Sequence, residues 1–131
     1  MRRRGLIVTA LAALSLTGGA VAGAAPASAD SCVDGWFCLY YNSNGGGAFV
    51  RIGGNIPNLT NTTFNACGTN CNGLGQSVWN NAGSARNTND FYAATVFYRF
   101  EYKGASDFVP TNYLSSLPST YNEDASVLFG P

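Results

Sequence analysis

The chain has 131 residues, with seven basic and seven acidic side chains, four cysteines and no histidine. That length suits a single domain with one modest core. Without histidine, neither a Ser-His-Asp triad nor a Cys-His pair can be assembled, so two common hydrolase mechanisms are excluded. Nucleic-acid binding normally needs a basic stripe, and the few basic residues do not cluster in that way.

Residues 1–29 have the composition of a secretory signal peptide. A cationic start precedes an apolar run from Leu6 to Leu16, and Ala27-Ser28-Ala29 gives the small-residue cleavage pattern. The run is shorter than the roughly 20 residues that span a bilayer, which disfavours a membrane anchor. We therefore predict a secreted, extracellular product formed by residues 30–131, with a net charge of about −3.

The first half of this product predicts short strands joined by turns. Residues 36–41 form the first convincing strand, 42–47 a glycine-rich turn, and 48–52 the return strand. A surface connection at 55–65 should pin Leu59 and Phe64 onto the core. An insertion at 67–75 then leads to a further predicted strand at 77–79.

The boundary between two halves, about 32–82 and 90–131, is predicted in the polar segment 80–90. The densest apolar run, 91–100, is expected to lie deepest in the core. No segment shows sustained helical periodicity, so we expect little helix, limited to one turn near 113–117.

The four cysteines are expected to form disulfides, because the predicted exported part meets oxidising surroundings. Three pairings are possible from sequence alone. We favour the local one because each pair brackets a short, turn-rich segment, and each small loop would then stabilise the fold by about 2 kcal/mol. A zinc site is the alternative, disfavoured by secretion and by the absence of histidine. The favoured pairs are Cys32 with Cys38 and Cys67 with Cys71.

A short pattern occurs twice in the chain. Tyr40 is followed seven residues later by Gly47, and Phe97 is followed at the same interval by Gly104. Each stretch reads as an apolar strand, a turn in which glycine permits positive φ, and a second strand. The repetition predicts a duplicated all-β unit.

These residues resemble the Greek-key motif of the βγ-crystallins, in which two aromatics and a glycine fold a hairpin and a later serine caps it. The second half matches all four positions, with Phe97, Tyr102, Gly104 and Ser126. The first half matches three, with Tyr40, Gly47 and Ser77. Gly45 stands where the second aromatic belongs, so we expect a looser first hairpin. The resemblance implies an all-β, βγ-crystallin-like β-sandwich of two Greek-key motifs.

Within that superfamily, the signal peptide and the cysteine-bracketed entry before Tyr40 resemble the secreted actinobacterial inhibitors of the Streptomyces metalloproteinase inhibitor type. The resemblance implies a monomeric inhibitor of an extracellular thermolysin-type metallopeptidase, without a cofactor, which offers a rigid disulfide-bracketed loop as a substrate mimic. The candidate protease-binding loop is Gly68, Thr69 and Asn70. This loop lacks the bulky apolar side chain that such peptidases favour, and it lies in the first half, whereas the family's reactive loop belongs to the second.

Calcium binding by a microbial crystallin is one alternative. Calcium needs six to eight oxygen ligands, and the segments before the two motif serines are degenerate, so capping by the serines is the simpler interpretation. The candidate ligands are Asn72, Ser77, Asn122, Asp124 and Ser126.

An antimicrobial or wall-binding protein is the other alternative, with exposed aromatics as a sugar platform. Core packing is the more common use of such residues in a small chain. These aromatics are Trp36, Tyr41, Tyr113 and Tyr121. Paired carboxylates could cleave glycosidic bonds, but those present occupy turns where solvated acids are ordinary, and we predict no enzyme. The carboxylates are Glu101, Asp107, Glu123 and Asp124.

Overall fold

A computed structural model of the protein describes residues 31–130, so the predicted signal peptide lies outside the described part. Residues 31–130 contain eight strands and two short 3-10 helices, Ser43–Gly45 and Leu59–Asn61, and none of their helices is long and apolar enough to cross a membrane. The strands are β1 Phe37–Tyr40, β2 Ala48–Ile52, β3 Ala66–Cys67, β4 Ser84–Asn87, β5 Ala93–Arg99, β6 Lys103–Val109, β7 Tyr113–Ser116 and β8 Ser126–Gly130.

The strands form two antiparallel sheets with the orders β3-β2-β1-β4-β7 and β6-β5-β8. Each half of the chain contributes to the sheet of the other half. Strand β7 pairs with β4, while Ile56 exchanges two backbone hydrogen bonds of 2.9 Å with Val127 in β8. The predicted two-motif, all-β sandwich is therefore confirmed, with the motifs interlocked.

The main core lies between the two sheets. Its members include Phe37 and Leu39 from β1, Val96 from β5 and Val127 from β8, all fully buried. The outer side of β1 is also covered, by a second cluster of Cys32, Cys38, Tyr40 and Phe49. Because both faces of β1 are buried, its sequence is apolar without alternation.

The two folded hairpins share their backbone geometry, as the repeat predicted. Gly47 has a φ of +77° and Gly104 a φ of +84°, a region that favours glycine. Ser126 closes the second hairpin: its hydroxyl accepts from the backbone N–H of Tyr102 (3.0 Å) and donates to the carbonyl of Arg99 (2.6 Å). These two bonds join the ends of the hairpin turn through the Ser126 hydroxyl.

Ser84, and not Ser77, closes the first hairpin. The Ser84 hydroxyl accepts from the N–H of Gly45 (2.9 Å) and donates to the carbonyl of Asn42 (2.7 Å), the same two bonds that Ser126 makes. Gly45 therefore does occupy the place of the missing aromatic, and the space beside its Cα is filled by Leu114, with a methyl group 3.3 Å from where a Cβ would lie.

The strand predicted at 77–79 does not form. Ser77 makes only an isolated bridge with Thr63, and its hydroxyl donates to the Thr60 carbonyl at 3.4 Å. The chain turns immediately afterwards, because the N–H of Asn81 bonds back to the carbonyl of Val78 (2.9 Å). The assignment of Ser77 as the capping serine was wrong for this reason.

The polar segment 80–90, where the boundary between the halves was predicted, contains β4, a buried strand with neighbours on both sides. Its polar side chains have internal partners: the buried Asn87 amide donates to the carbonyls of Tyr92 (3.0 Å) and Val109 (3.3 Å). Strand β7, which pairs with β4, occupies the place of the helical turn predicted near 113–117. The prediction of a helical turn was therefore wrong.

The aromatics of segment 91–100 are not the deepest part of the core. Ala94 and Val96 are fully buried, whereas Phe91 is 83% exposed. Tyr92 and Phe100 flank β5, and Tyr98 lies at the register shift between Phe97 and Arg99; all three are exposed. Four of the five aromatic side chains of this segment are therefore available on the surface, and Phe97 is partly buried.

Candidate functional site

The candidate protease-binding loop lies at the edge of the five-stranded sheet. Strand β3 pairs only with β2 in the described part of the chain, with Cys67 opposite Ala48. A disulfide joins Cys67 to Cys71, with their Cα atoms 4.6 Å apart, which confirms the predicted pairing. The disulfide thus closes a small ring directly on an edge strand.

Both ends of the ring are held by the same residue of β2. Ala48 pairs with Cys67 before the loop, and its N–H donates to the carbonyl of Asn72 after the loop (2.9 Å). Within the ring, the side-chain oxygen of Asn70 accepts from the N–H of Asn72 at 2.9 Å, which forms an Asx turn. The disulfide, the sheet and this turn together fix the path of the backbone.

The first loop residue must be glycine. A Cβ on Gly68 would lie 2.7 Å from the backbone oxygen of Gly47, so any other residue would push the loop away from the first hairpin. Thr69 and Asn70 are exposed. The close approach of Gly68 to Gly47 therefore fixes the position of the loop, while Thr69 and Asn70 remain exposed to solvent.

The loop borders a groove of about 400 Å³ that also touches the second disulfide segment. Gly68 and Thr69 line one part of this groove, and Cys32 and Tyr40 line another. Cys32 is bonded to Cys38 (Cα–Cα 6.1 Å), as predicted. Two disulfide-closed segments that are distant in sequence thus meet at one surface.

Tyr40 lines this groove with a rigid, uncharged side chain. Its ring packs against that of Phe49, with centroids 5.2 Å apart, and only 5% of the residue is exposed. Burial raises the pKa of Tyr40 above its ordinary value, although the charge of Arg86 acts in the opposite direction. The phenol is therefore neutral at physiological pH, and Arg86 supplies the positive charge of the groove.

Leu74 is a functional candidate that the sequence prediction left out. It is 48% exposed, and its N–H donates to the carbonyl of Cys71 at 3.0 Å, which turns the chain just beyond the ring. The signal was present in the sequence, because Leu74 is the only large aliphatic residue between Cys67 and Ser77. An apolar side chain therefore lies beside the loop that itself lacks one.

Residues 25–109, which include the ring and Leu74, match the model of peptidase inhibitor family I36. The chain belongs to peptidase inhibitor family I36. The resemblance to peptidase inhibitors that the sequence indicated is confirmed, and membership of the family implies a peptidase as the partner.

The fold of this I36 inhibitor is similar to solved βγ-crystallin domains. A structure from a study of the evolution of the eye-lens βγ-crystallin domain fold is 13% identical, with a TM-score of 0.57, covering 79% of this chain and 93% of that one. The N-terminal domain of protein S is 18% identical (TM-score 0.53; 72% and 93% covered). A βγ-crystallin from Ciona intestinalis is 17% identical (TM-score 0.51; 72% and 98% covered). No curated protein matches the inhibitor in sequence.

The calcium candidates of the inhibitor have separate roles. Asn72 anchors the disulfide ring, Ser77 bonds to Thr60, and Ser126 closes a hairpin. Asn122 is exposed, with a φ of +54°. Among residues 31–130, no group of three or more His, Cys, Asp or Glu side chains is arranged to hold a metal ion.

Asp124 lies buried where the two halves of the inhibitor meet. Its Oδ1 accepts from the N–H of Ala82 (2.9 Å), and its backbone carbonyl accepts from the N–H of Asn80 (2.9 Å). The N–H of Asn122 returns a bond to the carbonyl of Ala82 (3.0 Å). Oδ2 has no hydrogen-bond partner among the described residues, and burial raises the pKa of Asp124 to about 7.

The other acidic candidates are divided between structure and solvent. Asp107 is buried and accepts from the N–H of Ser119 and from both the N–H and the hydroxyl of Thr120 (2.8 Å each for Thr120). Glu101 and Glu123 are exposed. Asp107 therefore has a structural role in fixing the turn at residues 119 and 120.

The aromatics considered as a sugar platform are exposed in three cases out of four. Trp36 is 40% exposed, Tyr113 54% and Tyr121 51%. Tyr41 is partly buried, and its ring packs edge-on against Phe64 with centroids 5.7 Å apart. Tyr41 thus belongs to the core packing of the inhibitor.

Proposed function

We propose that this I36 inhibitor acts outside the cell, as a monomer, on a metallopeptidase, and that the ring 67–71 is the segment inserted into the peptidase active site. The observation that carries the proposal is the double attachment of the ring to Ala48, combined with closure by the Cys67–Cys71 disulfide. A segment ordered in this way before it binds loses little further conformational entropy in the complex.

Closure by the disulfide supplies much of this order. On chain-entropy grounds a ring of this size restricts the open chain by about 2 kcal/mol. The ring also lies on an edge strand, whose free backbone groups can pair with an extended segment of a partner. Both features favour binding as a substrate-like strand.

Leu74 supports a metallopeptidase target. Thermolysin-type peptidases favour a bulky apolar side chain, and Leu74 offers one next to the ring while Thr69 and Asn70 do not. Arg86 borders the adjoining groove beside Tyr40 and supplies a positive charge that a carboxylate of the partner can bind. The two disulfides are consistent with action in an oxidising, extracellular setting.

Titration of the purified protein against three peptidases tests the target class. The panel is a thermolysin-like, a subtilisin-like and a trypsin-like enzyme, each assayed with a fluorogenic peptide. We expect stoichiometric inhibition of the metallopeptidase at low micromolar protein or below. Inhibition of a serine peptidase alone would refute the target class, and inhibition of none would refute the whole proposal.

A double serine variant tests the ring. Replacing Cys67 and Cys71 by serine should raise the inhibition constant at least tenfold, because the peptidase must then order an open loop. The matched control replaces Cys32 and Cys38, which removes a disulfide of similar loop length but leaves the ring closed. Equal losses of inhibition in the two variants would contradict a specific role for the ring.

A single substitution tests the apolar contact. Leu74→Ala should weaken inhibition about tenfold, because it removes an apolar group from the interface, while the melting temperature stays the same. Phe108→Ala is the control, since Phe108 is 57% exposed on β6 of the other sheet. An unchanged inhibition constant for Leu74→Ala would exclude Leu74 from the contact.

A further inference from the structure

A second groove, of about 420 Å³, lies between the turn at 78–82 and the hairpin that joins β5 to β6. It shares no lining residue with the groove beside the disulfide ring. Three aromatic side chains line it: Trp79, Tyr98 and Phe100. They come from both halves of the chain, so the groove exists only because the two motifs interlock.

The aromatic rings are presented side by side. The centroids of Trp79 and Phe100 are 5.8 Å apart, with ring planes inclined by 35°. Trp79, Tyr98 and Phe100 are each between 37% and 41% exposed. A small domain that leaves three neighbouring aromatics partly uncovered presents a ligand-binding surface, because clustered apolar exposure is uncommon on monomeric proteins.

Charged groups surround these rings. Arg99 and Lys103 line the groove, and in the part of the chain that the structure describes neither forms a salt bridge. The stem of Arg99 lies over Gly104, where a Cβ would be 3.1 Å from its Cγ, which fixes the start of this side chain. Glu123 and Asn80 complete the lining with hydrogen-bond acceptors.

We propose that this groove binds a saccharide chain whose pyranose rings carry carboxylates. The flat C–H faces of the sugar rings would stack on Trp79 and Phe100, since aromatic faces attract the partly positive hydrogens of such groups. Its carboxylates would bind Arg99 and Lys103, which form no salt bridge within residues 31–130. Its ring hydroxyls would donate to Glu123, which would repel a polyanion without hydroxyl donors such as polyphosphate.

The lining thus assigns one function to each side chain type. The aromatics select flat rings, the cations select acidic over neutral sugars, and the acceptors select hydroxyl donors. This binding is independent of peptidase inhibition, because none of these residues belongs to the ring 67–71 or its groove.

Titration with hexagalacturonate, followed by tryptophan fluorescence and calorimetry, tests the proposal. Trp36→Phe leaves Trp79 as the only tryptophan, so its emission reports on the groove. The fully methyl-esterified hexamer is the matched control, with the same rings and no charge. We expect a change in Trp79 emission with a dissociation constant below about 1 mM, and at least fivefold weaker binding of the ester.

Variants separate the groove from other surfaces. Trp79→Ala should weaken binding at least tenfold and Lys103→Ala at least threefold, the latter only for the acid form. Trp36→Ala should leave binding unchanged, although Trp36 is as exposed as Trp79, at 40% each. No binding at millimolar hexamer, equal binding of acid and ester, or equal losses in the Trp36 and Trp79 variants would each overturn the proposal.

Discussion

Replacing Asp124 by asparagine should remove much of the pH dependence of stability. The carboxyl is buried at the junction of the two halves. Its Oδ1 accepts from the N–H of Ala82, and its Oδ2 has no hydrogen-bond partner within residues 31–130. Burial raises its pKa from an ordinary 3.8 to about 7. Because the folded-state pKa is above the unfolded value, ionisation of Asp124 opposes folding.

The sign and size of the effect follow from this shift. The folded protein is fully stable below the unfolded pKa and loses stability as the pH rises through the folded pKa of about 7. A shift of about three pKa units corresponds to about 4 kcal/mol in total. Some of this stability is already lost at pH 5, because the carboxyl of the unfolded chain ionises at lower pH. The expected loss of stability between about pH 5 and pH 9 is therefore about 3 kcal/mol.

Urea unfolding at several pH values measures this effect. The wild type should lose about 3 kcal/mol between about pH 5 and pH 9, whereas Asp124→Asn should lose less than about 1 kcal/mol. In the variant, the amide oxygen can still accept from Ala82. Glu101→Gln serves as the control, because it replaces an exposed carboxylate by an amide and leaves Asp124 in place.

Two outcomes would refute this reasoning. A wild type whose stability rises or stays constant from mildly acidic to alkaline pH would show that the buried carboxyl has a partner in solution. A wild-type profile that the Asp124→Asn variant reproduces would assign the pH dependence to another group.

Four further substitutions test the hairpins and the ring. Ser126→Ala should lower stability by about 2 kcal/mol in urea unfolding, since two backbone groups lose their partner, whereas Ser77→Ala should cost less than about 0.5 kcal/mol. Gly68→Ala should lower the melting temperature and weaken inhibition together, because its Cβ would clash with a backbone oxygen at 2.7 Å. Asn70→Ala should weaken inhibition severalfold in a peptidase assay, with less than about 1 kcal/mol lost in stability, because it removes the Asx turn. Equal stability losses at Ser77 and Ser126 would contradict the corrected capping assignment.

Locally encoded features were predictable from the sequence. Gly47 and Gly104 adopt positive φ because the hairpin turn requires it, and a fixed interval after an aromatic identifies both. The favoured disulfide pairing also rested on local spacing, since Cys67 and Cys71 bracket a short, turn-rich segment. Patterns that act over a few residues need no knowledge of the tertiary fold.

The sequence did not predict Ser84 as the capping serine of the first half, because Ser77 also precedes apolar residues, as Ser126 does. Another pattern identifies both capping serines. An aromatic residue is followed directly by asparagine, and the serine comes five residues after the aromatic. The pattern occurs as Trp79, Asn80 and Ser84, and again as Tyr121, Asn122 and Ser126. Both asparagines of this pattern have positive φ, 62° for Asn80 and 54° for Asn122. The asparagine with positive φ, and not the apolar residues after a serine, therefore identifies the repeated segment.

Features that depend on distant pairing could not be predicted locally. Strand β4 is polar because its buried side chains bond to other segments, as Asn87 does with Tyr92 and Val109. Strand β7 forms because it pairs with β4, and nothing within 113–116 indicates that partner. The aromatic groove likewise joins Trp79 to Phe100 across the two motifs.

Hydrogen exchange of the inhibitor, free and bound to the metallopeptidase it inhibits, tests the central claim most directly. If the disulfide ring is the inserted segment, new protection on binding should be concentrated in residues 66–75 and in the neighbouring strand β2. Protection confined to the β5–β6 hairpin or to the other sheet, with exchange in 66–75 unchanged, would contradict the account.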